Sequence, residues 1–111
     1  MIVNILKITA AVITIGTGLL SLLKPKAAFG FTGLTAEGAR GITEIRSILG
    51  ALFIALGGAV LYFQLSETYA ILGIMYLFVA LVRLISMFVD KSVEQSNFIS
   101  LITEIILGVI L

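Results

Sequence analysis

Thr43-Glu44-Ile45-Arg46-Ser47-Ile48-Leu49-Gly50-Ala51-Leu52-Phe53-Ile54-Ala55-Leu56-Gly57-Gly58 sets two charges against a glycine-studded apolar run, and its reading decides the fold. From Ile42 to Phe63 almost every residue is apolar. As a helix rising about 1.5 Å per residue, this stretch is long enough to cross a hydrocarbon core of about 30 Å. Arg46 then lies a turn or so inside. An arginine near a bilayer centre costs about 2.5 to 3.5 kcal/mol on insertion scales, so its head must meet protein, water or headgroups rather than acyl chains. At about 100° per residue, Arg46, Gly50, Phe53 and Gly57 share one face, while Glu44 points the opposite way with Ile48, Ala51, Ala55, Gly58 and Tyr62. Residues two apart on a helix do not meet, so Glu44 and Arg46 need different partners. Small residues lie on both faces, and in lipid they let neighbouring helices approach closely. Gly50, Gly57 and Gly58 are therefore read as packing positions.

The rest of the chain agrees with a membrane setting. Its 111 residues are 60% hydrophobic and 12% charged, with a mean hydropathy of +1.25, which is too apolar for an ordinary soluble domain. One domain, residues 1–111, fits the length. There is no cysteine and no histidine, which removes thiol chemistry, disulfides and imidazole base catalysis, and leaves carboxylates as the strong metal ligands. No cofactor or metal is implied. A net charge of +1 spread through loops suggests no nucleic-acid partner.

Outward from the quoted stretch, the chain reads as four helices of an all-α, polytopic, antiparallel transmembrane bundle, at about residues 2–23, 42–63, 69–89 and 94–111. The first resembles a signal peptide, but its apolar run is long and Lys24 and Lys26 follow without an A-x-A-like site, so it is read as retained. Lys7, Thr14 and Ser21 form a seven-residue stripe beside Ala11 and Gly18. Lys24-Pro25-Lys26 ends that helix. An interfacial loop over 24–41 is expected, with Phe29, Phe31 and Leu34 too apolar for open solvent. Gln64 to Thr68 makes a tight connection to the third helix, in which Tyr69, Tyr76, Arg83 and Asp90 recur every seven residues as a seam facing other helices. Asp90 to Ser96 is a polar turn, with Ser96 or Asn97 as a cap. Asn97, Glu104 and Leu111 repeat the heptad in a fourth helix that is short for a span and must start near Val93 or sit in a thinned bilayer.

Depth then matters. Arg83 lies seven residues before Asp90 and Glu104 seven after Asn97, so both stand about 10 Å from the same face in antiparallel neighbours. Arg46 enters from that face too. The expectation is an intramembrane polar layer of Arg46, Arg83 and Glu104, with Glu44 and Asp90 nearer the boundary and Tyr76 deeper.

At Glu44-Ile45-Arg46-Ser47, followed by Gly50 and Gly57, and with Arg83 and Glu104 in later helices, the chain resembles the domain-of-unknown-function family numbered 4345, in the DoxX-like group of small four-helix bacterial membrane proteins. A glycine pair commonly follows the arginine in that family, where this chain has Gly50-Ala51. The resemblance implies an accessory or quinone-proximal role, since some relatives in the wider group are similar to quinone-linked oxidoreductase subunits.

Three classes of function follow. First stands a small structural or accessory membrane protein whose charged layer holds its helices in register. Second is a lipid- or quinone-binding module using Arg46, Tyr76, Arg83 and Glu104. A membrane enzyme or proton-coupled transporter trails, because no nucleophile elbow, phosphate loop or catalytic carboxylate pair is present, and carboxylates do not repeat through both leaflets. Membrane lipid is the expected partner, and small-residue faces allow a homo-oligomer. Lys24, Lys26, Arg40 and Lys91 against Lys7 place both termini outside a prokaryotic inner membrane by the positive-inside rule.

Overall fold

A computed structural model describes residues 2–27, 35, 38–91 and 95–111, together with the backbone but not the side chain of Ser96. These residues are helical almost throughout: α1 (Ile2–Leu23), α2 (Gly38–Phe63), α3 (Ser66–Val89) and α4 (Gln95–Ile110). The first three are long and apolar enough to cross a membrane, and α4 is shorter. Half of the expected interfacial loop, including Phe29, Phe31 and Leu34, lies outside the described residues, as does Val93. Gly38 to Gly41, expected in that loop, instead form the first turn of α2.

Local chemistry explains the ends. Lys24 donates its N–H to the Leu20 carbonyl, closing α1, and its own carbonyl accepts from Ala27 at 2.9 Å. That second bond spans a four-residue turn with Pro25 at its second position, where a fixed φ fits and a missing N–H costs nothing. The α2–α3 connection shrinks to Gln64 and Leu65. Gln64 takes a left-handed φ of 50° and donates to the Val60 carbonyl, and Leu65 is extended. Its carbonyl accepts from the N–H groups of Thr68 and Tyr69, so α3 starts at Ser66 rather than Tyr69.

The helices pack as two close pairs. In the α1–α2 pair, a Cβ on Gly18 would stand 2.6 Å from the Gly50 carbonyl oxygen, and one on Gly57 2.9 Å from that of Ala11. In the α3–α4 pair, Gly73 and Gly108 each lie against the other's carbonyl, and Leu111 closes on Gly73. Only glycine permits such approach, and the dispersion contacts it allows hold the pairs together. Gly58 differs from its expected role: it is exposed, with nothing within 4 Å of where a Cβ would stand. A cluster of Ala10, Ala11, Val60, Tyr69, Leu72, Tyr76 and Leu107 joins the two pairs, and Ala80, Met87 and Leu101 fill the space between α3 and α4. Polarity is inverted relative to a soluble fold. Thr14 and Ser21 are fully buried, while Phe78, Phe88 and Val109 stand 64%, 73% and 73% exposed.

One irregularity sets the direction of α2. Over Ile45–Ala51 the helix widens to a π turn, with the Leu52 N–H bonded to the Ser47 carbonyl five residues back. The buried positions Gly50 and Gly57 are seven apart, two ordinary turns, but the preceding buried residue is Ile45, five before Gly50. The extra residue in that turn rotates everything before it, and Arg46 leaves the inner face.

Candidate functional site: a charged clamp between α3 and α4

Arg83 sits on the α3 seam, where the heptad of Tyr69 and Tyr76 aims it at α4. Its guanidinium meets Glu104 side-on, Nε donating to Oε1 at 2.7 Å and Nη2 to Oε2 at 2.8 Å. Nη1 donates to Asn97 Oδ1 at 2.8 Å. One arginine thereby ties two points on α4 that lie two turns apart. The bidentate geometry is the strong form of an arginine–carboxylate contact. Both side chains are mostly withdrawn, 27% and 13% exposed. All three guanidinium nitrogens and both carboxylate oxygens have a partner.

Tyr76 lies one heptad from Arg83 toward the core. Its hydroxyl stands 2.5 Å from Thr14 Oγ1 on α1. Thr14 spends its single proton on the Ala10 carbonyl at 2.9 Å, so Tyr76 is the donor in the shared bond. The contact is a polar link between the two helix pairs. Lys7 adds a second, its ammonium 5.6 Å from the centre of the Tyr69 ring. Among the described residues no buried side-chain polar atom lacks a partner.

Two cavities flank the clamp. One of about 260 Å³ is walled by Tyr76, Glu104, Thr17, Ser100 and Thr103 with apolar neighbours from α1, α2 and α4. Another of about 560 Å³ opens beside Arg83 and Asn97 between Phe78, Val79, Val82 and Ser86. Among the described residues no three metal-ligating side chains come together.

The remaining residues of the expected layer lie elsewhere. Arg46 is exposed and lines a separate groove with Lys24 and Lys26, because the π turn carries it off the inner face and puts Ile45 there instead. Glu44 is exposed and pairs one helical turn back with Arg40, Nη2 to Oε1 at 3.0 Å. Asp90 is exposed at the end of α3, where its N–H bonds the Ser86 carbonyl.

Over residues 2–111 the sequence matches the profile of the family described as Domain of unknown function (DUF4345). The chain belongs to that family. No curated protein and no solved structure gives a significant match. The DUF4345 description assigns no role, so any function must be argued from the arrangement itself.

Two residues matter more in this DUF4345 chain than their sequence pattern suggests. Asn97 reads as a cap or as a heptad position, yet it holds the third nitrogen of Arg83. Thr14 reads as one position of a seven-residue stripe, yet it bonds the Ala10 carbonyl of its own helix and is also the acceptor for Tyr76. The signal for Asn97 is its seven-residue spacing from Glu104. Thr14 gives none, since pairing across 62 positions is invisible in one sequence.

Proposed function

We propose that this protein is a small accessory component of a prokaryotic inner membrane, an antiparallel four-helix bundle in which the clamp among Arg83, Glu104 and Asn97 fixes how α4 sits on α3. The single observation that carries this reading is that each guanidinium nitrogen and each carboxylate oxygen of the clamp already has a partner within it. A guanidinium with every nitrogen engaged and a carboxylate with both oxygens bonded hold two helices in register but present little to a ligand. The antiparallel arrangement is supported by the contacts: Gly18 meets Gly50 while Ala11 meets Gly57, and Gly73 meets Leu111 while Arg83 meets Glu104. Membrane insertion is supported by the exposed apolar surface around buried Thr14 and Ser21. The distribution of lysine and arginine favours both termini outside, and the four-helix plan fits the DoxX-like group.

A second reading has its own support. The cavity beside Arg83 and Asn97, about 560 Å³, lies in the size range of small-molecule sites, and a lipid headgroup or quinone ring is a suitable occupant.

A double-mutant cycle separates the two. Arg83→Met or Glu104→Leu alone should destabilise the protein by about 3 to 5 kcal/mol, because each strands a buried charge, and the pair together should recover most of that loss. Under the structural reading, lipid or quinone extracted with the purified double variant matches wild type. A folded double variant that has lost a molecule co-purifying with wild type overturns it in favour of a binding site.

A further inference from the structure

Beyond the clamp, at the Lys24 end of the α1–α2 pair, a groove of about 510 Å³ is lined by Lys24, Pro25, Lys26, Ala27, Ile42 and Arg46. Among the described residues its wall carries three cations and no carboxylate. Glu44, the nearest acid on α2, is turned to Arg40 instead. Pro25 is buried and the Lys24–Ala27 turn holds the two lysines on either side of it. The π turn delivers Arg46 to the outside of α2 at the matching level, since Leu22 packs on Gly50. An exposed arginine within an apolar helix is costly against acyl chains, and it is relieved only where an anion or water meets its head.

We propose that this groove binds the phosphate of an anionic phospholipid headgroup, with Lys24, Lys26 and Arg46 around the phosphate and Ala27 and Ile42 against the start of the acyl chains. The apolar share of the lining is what distinguishes a lipid from a free anion as occupant. The site lies on the basic side of the chain, where an anionic leaflet attracts lysine and arginine. It stands whether the clamp is structural or ligand-binding, because the two share no residue.

The test is a titration of detergent-purified full-length protein with phosphatidylglycerol and with phosphatidylcholine, read by native mass spectrometry. Wild type should bind phosphatidylglycerol preferentially. At a contribution typical of a cation near an anionic surface, neutralising one residue should weaken that binding about fivefold, and Lys24→Gln with Lys26→Gln and Arg46→Gln about a hundredfold. Lys91→Gln, at a cation outside the groove, should leave it unchanged. Lys24→Arg, Lys26→Arg and Arg46→Lys together should keep the preference. Arg46→Gln alone carries the test should the triple neutral variant not fold. Equal binding of both lipids, an unchanged preference in the neutral variants, or an equal loss in Lys91→Gln overturns the proposal. Competition by millimolar inorganic phosphate as effective as by the lipid overturns the lipid assignment.

Discussion

In the membrane setting proposed above, Arg83, Glu104 and Asn97 illustrate how an apolar interior handles charge. An isolated arginine there is expensive, and a bidentate carboxylate together with an amide oxygen removes most of that penalty without adding much net stability. Tyr76 and Thr14 show the same logic for neutral groups, with an asymmetry that can be measured. In Tyr76→Phe, Thr14 keeps its bond to the Ala10 carbonyl, so the loss should be that of one interhelical hydrogen bond, about 0.6 kcal/mol. In Thr14→Val, the buried tyrosine hydroxyl loses its acceptor, and the loss should be about 1 to 3 kcal/mol. Reversible unfolding of both variants in bicelles checks the order. Equal losses would mean that the tyrosine hydroxyl finds another acceptor, with Glu104 on the shared cavity wall a candidate.

At the scale of helices, glycine decides which faces touch. Gly18→Ala drives a methyl into the Gly50 carbonyl and the backbone of Ile54 and should cost about 1 to 3 kcal/mol. Gly16→Ala meets nothing within 4 Å and should be neutral or, through helix propensity, stabilising by up to about 1 kcal/mol. Unfolding free energies of the two variants, two positions apart on one helix, give the comparison. Much of this level is legible in the sequence. The stripes Lys7–Thr14–Ser21, Tyr69–Tyr76–Arg83 and Asn97–Glu104–Leu111 are readable as heptads, and Arg83 and Glu104 can be matched in depth by counting from a turn. Arg46 could not be placed that way. Helical phase at a constant angle per residue puts it beside Gly50 and Gly57, whereas a π turn shifts phase, and nothing in the local composition of Ile45–Ala51 announces one. The same irregularity moves a cation from the expected inner layer to the groove at the end of α1, whereas Gly58 is outside because it lies one residue, about 100°, past buried Gly57 in the regular part of α2.

Taken whole, the molecule is two glycine-knit helix pairs fastened by a small shared cluster, with Thr14, Ser21 and the Arg83–Glu104 pair turned inward and many large apolar side chains outward. The 26 residues of α2 rise about 39 Å, more than a hydrocarbon core of about 30 Å, so in the proposed bilayer setting its first turns fall at headgroup depth and Arg46 near the boundary. α4, with 16 residues, rises about 24 Å and relies on α3 for its place. The central claim is that these helices lie in the bilayer with the Arg83 face turned inward. Because the chain has no cysteine, single cysteines for spin labels can be placed along α3 without background. The direct measurement is collision accessibility of labels at residues 78, 80, 82 and 87 to oxygen and to a water-soluble nickel reagent, in liposomes. The account predicts high oxygen and low nickel accessibility at Phe78 and Val82, and low accessibility to both at Ala80 and Met87. Oxygen maxima at Ala80 and Met87, or nickel accessibility all along α3, would contradict it.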